Sequence, residues 1–232
     1  MRVREMQKNS ITQLSAGLID LDIIREQSRR EEAEKRQQAM LDDQLDKIPS
    51  RYQGKTFDDF LTPTASAQQV KRIVQQAVKV IQTTPLCLLF LGKPSTGKTM
   101  MAFILYRAFA EVGFRVHYES SLLFLKILQE KRFESSAKFQ SQLAYYRDVD
   151  FLILDEFSES VSRDGAPVEF EKRLMFEVID ARYQQQRPTL AISNRNYDQL
   201  VARLGLATVE RLSEKSAILM FDWPSMRSGL SL

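Results

Sequence analysis

Gly92-Lys93-Pro94-Ser95-Thr96-Gly97-Lys98-Thr99 decides the fold of this chain, because it fits G-x-x-x-x-G-K-[ST] at every fixed position. The apolar run Leu86-Cys87-Leu88-Leu89-Phe90-Leu91 precedes it, and an amphipathic stretch from Met100 to Ala110 follows. A buried strand, a glycine turn and a helix start are the context in which this pattern holds phosphate. Gly92 and Gly97 let the backbone curl until successive N–H groups face one anion. A helix beginning near Lys98 adds the positive end of its dipole. The expected nucleotide-binding residues are therefore Gly92, Lys93, Pro94, Ser95, Thr96, Gly97, Lys98, Thr99 and Met100. Lys98 is expected at the β and γ phosphates of ATP, and the Thr99 hydroxyl on Mg²⁺.

A second apolar run, Phe151-Leu152-Ile153-Leu154, ends in the acids Asp155 and Glu156. In a parallel sheet such a strand delivers its last residues to the same edge as the glycine loop. Asp155 is expected to hold Mg²⁺ through water, and Glu156 to polarise the attacking water. The bland alternative is a pair of polar strand caps. A third run, Pro188-Thr189-Leu190-Ala191-Ile192-Ser193-Asn194, ends in an amide suited either to orienting that water or to capping a turn.

With 232 residues, 44% of them hydrophobic, the chain has room for one α/β core and an appendage, but hardly for two large domains. The formal charge of +3 permits nucleic-acid binding without requiring it. The single cysteine, Cys87, excludes an internal disulfide and reads as a buried small hydrophobe. His117, the sole histidine, lies in the strand-like run 114–118 without clustered ligands, so an ordinary strand residue is expected rather than a metal site. No apolar run reaches the ~18 residues of a membrane span, and the first residues lack the apolar core of a secretory signal. A cytoplasmic protein is the expectation.

Residues 1–48 form the expected helical arm, and 49–232 the main domain. In the arm, Ile11, Leu14, Leu18 and Leu21 recur at helical spacing, giving one apolar stripe. The mixed-charge run from Arg25 to Gln38 suits an exposed helix or a solvated linker. Acids and bases nearly cancel here, so a protein partner docked helix-in-groove is favoured over phosphate attraction, with self-docking as the alternative. After Pro49, the aromatics Tyr52, Phe57 and Phe60 precede a helix from about Ala65 to Gln82; they can grip an adenine ring or pack as core. From Phe133 to Arg147, cations alternate with aromatics in a way that suits single-stranded nucleic acid, although for the individual aromatics a half-buried amphipathic helix is the favoured reading. Arg211, in Val209-Glu210-Arg211-Leu212, sits at a helix end from which it could touch a neighbouring subunit's nucleotide. The short ending after Phe221 leaves no room for a helical lid.

Together these residues resemble one family. The Arg51-Tyr52 to Phe60 box, the glycine loop, Asp155-Glu156, Ser193-Asn194, Val209 to Leu212 and the ending Phe221-Asp222-Trp223-Pro224-Ser225-Met226-Arg227 resemble the DnaC-type AAA+ ATPases and their relative, the transposition helper IstB. The likeness covers roughly Ile48 to the last residue. It implies a three-layer P-loop α/β domain with a central parallel sheet and no C-terminal lid, preceded by a helical arm. It implies Walker B acids at Asp155 and Glu156, a sensor at Asn194, an arginine finger in trans at Arg211, and a phosphate-side arginine at Arg227. It places Lys126, Phe133 and Tyr146 in the region that contacts single-stranded DNA. The implied activity is ATP hydrolysis, weak alone and stimulated by assembly into a nucleotide-dependent spiral and by single-stranded DNA. The implied task is loading a replicative DnaB-type helicase held by the arm. The alternative is remodelling DNA for a transposase. A nucleotide-gated adaptor without useful turnover is a third class, against which Glu156 argues.

Overall fold

Three apolar runs become the middle of one sheet, and their order in space explains where the polar residues at their ends converge. The computed structural model describes residues 25–158 and 169–226. The strands are β1 (Cys87–Gly92), β2 (Val116–Ser120), β3 (Phe151–Asp155), β4 (Thr189–Ser193) and β5 (Ser216–Phe221). They pair in the order β2-β3-β4-β1-β5, with every pair parallel. All five therefore point their carboxyl ends to one edge, and β4 separates the glycine-loop strand from the acid-bearing strand. Register places Leu91 of β1 beside Ser193 of β4, and Leu154 of β3 beside Ala191.

Leu88 to Leu91 and Phe151 to Leu154 are buried residue after residue. Only strands covered by helices on both faces can bury such runs. On one face α3 (Lys98–Glu111) packs over β2, β3 and β4, beside α2 (Ala65–Ile81), which packs on β5. The other face carries α4 (Ser121–Glu134), α5 (Ser136–Asp148), α6 (Glu169–Gln184), α7 (Tyr197–Leu204) and α8 (Leu206–Ser213). There Leu89 and Leu91 meet Phe124, Leu128, Tyr146, Val178 and Leu212 in one core. Thr64 and Ser120 cap α2 and α4 by accepting from Ala67 N and Leu123 N, and Asn196 with Gln199 forms a capping box on α7.

At the amino edge of the sheet Arg182 is 1% exposed and forms no ion pair among the described residues, Asp150 and Asp148 acting on it only at a distance. Its guanidinium instead donates to the carbonyls of Tyr146 (3.0 Å), Val149 (2.7 Å) and Pro188 (2.6 Å), and to Thr189 Oγ1 (2.9 Å). Burial lowers its pKa to about 9, and these bonds tie α6 to the end of α5 and the start of β4.

The chain divides into two units, Met1–Asp46 and Lys47–Leu232. Of the first, residues 25–46 form a helix, α1, exposed along residues 25–40. Spacings of four give Arg30 with Glu26, Arg36 with Glu32, and Gln38 with Asp42. The expected apolar stripe at Ile11, Leu14, Leu18 and Leu21 lies outside the described residues. No helix among the described residues is long and apolar enough to cross a membrane.

Candidate functional site

At the carboxyl edge the glycine loop leaves β1 and wraps onto the start of α3. Gly92 has φ +120°, and a Cβ there would meet the Phe221 carbonyl oxygen at 2.4 Å, so only glycine lets β1 and β5 approach as they do. Gly97 has φ +93°, and its missing Cβ leaves room for the Phe60 ring (2.8 Å) and Met226 Sδ (3.1 Å). Gly97 is also the N-cap of α3, so no side chain caps that helix, and no acid occupies its first turn. The first N–H groups of α3 are thereby left for an anion.

The loop is held from behind by residues distant in sequence. Trp223 Nε1 donates to the Thr96 carbonyl (3.0 Å) and Met226 N to the Ser95 carbonyl (2.7 Å). Lys93 N donates to the Phe221 carbonyl at 3.0 Å. Thr96, fully buried, closes the turn through its hydroxyl to the Lys93 carbonyl at 2.8 Å. Lys98 Nζ donates to the carbonyls of Gly92 (2.8 Å) and Lys93 (2.5 Å). Burial lowers the Lys98 pKa to about 8, against the opposing pull of Asp155.

The acids arrive from β3. Asp155 Oδ2 accepts from Thr99 Oγ1 (2.8 Å) and from Tyr118 Oη (2.8 Å), while Oδ1 accepts from Glu156 N (2.7 Å). Glu156 has φ +53°, a left-handed conformation that costs a non-glycine residue about 1–3 kcal/mol. The kink lets Phe157 N donate to the Ile192 carbonyl at 2.6 Å and buries the Phe157 ring, so consecutive acids both border one cleft.

That cleft, about 350 Å³, is lined by Arg51, Tyr52, Pro94, Ser95, Gly97, Lys98, Thr99, Met100, Asp155, Glu156, Asn194 and Met226. Most of the expected site thus converges on it. Gly92, Lys93 and Thr96 shape the loop from outside the cleft wall. Donors along a glycine turn, an ammonium and a helix start suit a polyphosphate. The Thr99 hydroxyl and Asp155 carboxylate are hard oxygen donors that suit Mg²⁺.

Several expectations change. Phe57, expected at the adenine, is not in the cleft wall; Tyr52 lies there, stacked on Phe103 with ring centroids 4.8 Å apart, while Phe60 packs against Gly97. Tyr146, expected at DNA, is completely buried, its ring against Phe124 at 4.7 Å, so no base can stack on it. Its helical partner in burial is Leu143, and α5 turns Tyr145, 47% exposed, outward instead. Phe133 is 89% exposed on α4, and Lys126, also exposed, lies seven residues before it on the same helix face. Cys87 is half-buried rather than buried. His117 is a strand residue of β2 whose Nδ1 meets Tyr145 Oη at 3.1 Å, and no metal-binding cluster of acids, histidines or cysteines occurs among the described residues. Arg227 lies outside the described residues.

Arg211 is at the opposite edge. It lines a pocket of about 300 Å³ with Thr84, Cys87, Arg182, Pro188 and Lys215, residues that precede or begin β1, β4 and β5. It pairs with Asp180 (2.9 Å) and stacks on Tyr183. A strand's length, ~20 Å, separates it from its own glycine loop. Three residues to which sequence reasoning gave no role shape the site: Arg51 in the wall, Tyr118 on Asp155, and Trp223 behind the loop. Arg51 and Trp223 stand in the boxes that carry the resemblance, whereas Tyr118 offered no signal.

The sequence profile of the family described as IstB-like ATP binding protein matches residues 4–229. The replicative helicase loader DnaC of Escherichia coli K12 is 21% identical over 181 residues, 78% of this chain and 72% of that protein. A putative insertion sequence ATP-binding protein of Sinorhizobium fredii is 28% identical over 182 residues, 75% of this chain and 58% of its own length. A crystal structure of the DnaC helicase loader superposes with TM-score 0.64 at 20% identity, covering 74% of this chain and 99% of that one.

Proposed function

Because the chain belongs to the family of IstB-like ATP-binding proteins, with the P-loop AAA+ fold of DnaC, we propose that it is an assembly-switched ATPase that loads a DnaB-type replicative helicase onto single-stranded DNA. The observation that carries this reading is the convergence of Lys98, Thr99, Asp155, Glu156 and Asn194 on one cleft. In it Lys98 binds the β and γ phosphates of ATP, and Thr99 and Asp155 hold Mg²⁺, which neutralises charge on the phosphate oxygens. Glu156 takes the proton of the attacking water, and the Asn194 amide orients that water. Tyr52 borders the base, and Arg227 remains a candidate on the phosphate side.

Arg211 lies too far from its own cleft to serve it, which supports a role in trans on a neighbour's nucleotide. An arginine supplied this way is worth ~10³ to 10⁵ in turnover, so the lone chain is a slow ATPase and the nucleotide-joined spiral a faster one. Lys126 and Phe133 offer a cation and an exposed ring on one face of α4 for single-stranded DNA. The arm, residues 1–48, holds the helicase, and 49–232 is the motor.

A transposition helper, sharing the motor but remodelling DNA for a transposase, is favoured by the insertion-sequence relative. The full chain and a version lacking residues 1–46 would be offered a DnaB-type helicase and a transposase. Helicase retained by the full chain alone supports the loader; transposase retained instead overturns it. Lys98→Ala is expected to abolish nucleotide binding. Arg211→Ala is expected to keep it but lose DNA-stimulated turnover, and equal turnover in Arg211→Ala and the parent would remove the trans role.

A further inference from the structure

Asp155 is held by more than its strand. A carboxylate oxygen offers two lone-pair sites, and both on Oδ2 are taken, one by Thr99 Oγ1 and one by Tyr118 Oη, each at 2.8 Å. Oδ1 accepts only one protein donor among the described bonds, Glu156 N. The outward side of this carboxylate, available to the water shell of a cation, is therefore chosen by the two hydroxyls that occupy the other.

Tyr118 is suited to this task. It sits on β2 beside Ile153 in register, two residues short of Asp155 along β3. Its ring packs on Phe103 of α3 with centroids 4.4 Å apart, and Phe103 in turn stacks on Tyr52 at the cleft wall. Packing thus fixes the direction in which the hydroxyl points.

We propose that Tyr118 is a positioning residue for the metal carboxylate: its hydroxyl locks Asp155 with Oδ2 toward Thr99 and Oδ1 toward the cation's hydration shell. This rests on the reading of the cleft as a site for nucleotide and Mg²⁺. Outer hydrogen-bond partners of this kind typically govern metal affinity by 10- to 100-fold. Thr99, by donating its own hydrogen to Asp155 Oδ2, keeps its oxygen lone pairs for the cation.

The test compares the full chain with Tyr118→Phe, which keeps the ring on Phe103 and removes only the hydroxyl. Binding of a fluorescent ATP analogue is measured in excess chelator and then across a Mg²⁺ titration, and Mn²⁺ binding to the nucleotide complex is followed by electron paramagnetic resonance. The expected result is chelator-state affinity within about twofold of the parent, with half-maximal Mg²⁺ and Mn²⁺ concentrations raised roughly 10- to 100-fold. A general loosening of the core would instead weaken binding equally with and without metal, and that outcome overturns the assignment. An unchanged metal requirement in Tyr118→Phe overturns it as well, while the nucleotide reading stands. A parent chain that binds no analogue in either condition overturns both.

Discussion

Lys98 offers a sharp quantitative check, because the structure gives it two carbonyl acceptors and a pKa of about 8. In the free protein its ammonium is then about 90% charged at pH 7 and about 10% charged at pH 9. A triphosphate brought against it favours the charged form, so binding above pH 8 must draw a proton from solution. The apparent affinity for ATP should fall about tenfold per pH unit from there, reaching roughly thirtyfold between pH 7 and 9.5. Tyr118, whose hydroxyl lies on Asp155, has a raised pKa and stays neutral through this window. Fluorescent-nucleotide titrations across the range read the affinity. Calorimetry in two buffers of different ionisation heat should read uptake of about 0.9 proton at pH 9 and about 0.1 at pH 7. Affinity constant from pH 7 to 9.5, with no uptake at pH 9, would refute the reasoning. Linkage also fixes the sign without ligand. The folded state releases this proton at lower pH than the unfolded chain, so stability gained from Lys98 rises between pH 8 and the ordinary lysine value.

Other outcomes follow from single contacts. Gly97→Ala puts a Cβ at 2.8 Å from the Phe60 ring at φ +93°; a strain of about 1–3 kcal/mol should lower the melting temperature and weaken ATP binding at least tenfold. Trp223→Phe strips the buried Thr96 carbonyl of its indole donor, and denaturant titration should find a loss of about 1–3 kcal/mol. Phe133→Ala, at an 89% exposed ring, should leave the melting curve unchanged and cost about 1–3 kcal/mol of single-stranded DNA affinity if α4 stacks a base. Tyr146→Ala should cost about 3–5 kcal/mol of folding stability, and DNA affinity unaltered in folded Tyr146→Phe confirms its place in the core.

Strand identity was legible because β1, β3 and β4 are short unbroken apolar runs, β1 ending in the glycine turn and β3 and β4 in the polar residues that the edge needs. Strand order was not, since nothing local in Phe151 to Asp155 says that β4 lies between it and the glycine loop. The mistake at Tyr146 had a local signal. Leu143 and Tyr146 are spaced by three and so share a face of α5 that Tyr145 does not, a pattern that outweighs the presence of nearby cations. Phe57 and Phe60 had none, for which ring fills the space beside Gly97 depends on a residue over thirty positions away. Tyr118 was hidden for a similar reason: its hydroxyl crosses to the neighbouring strand, and in its own segment it is one more aromatic in an alternating strand.

The clasp of Trp223 and Met226 on Ser95 and Thr96 bears on how the protein is born. A ribosome releases the glycine turn more than a hundred residues before the segment that braces it. A half-made chain can expose a complete-looking phosphate motif and still be unable to keep ATP. Residues 221–226 are thus expected to be needed for nucleotide binding, and a chain ending before Trp223 should hold ATP far more weakly than the whole one.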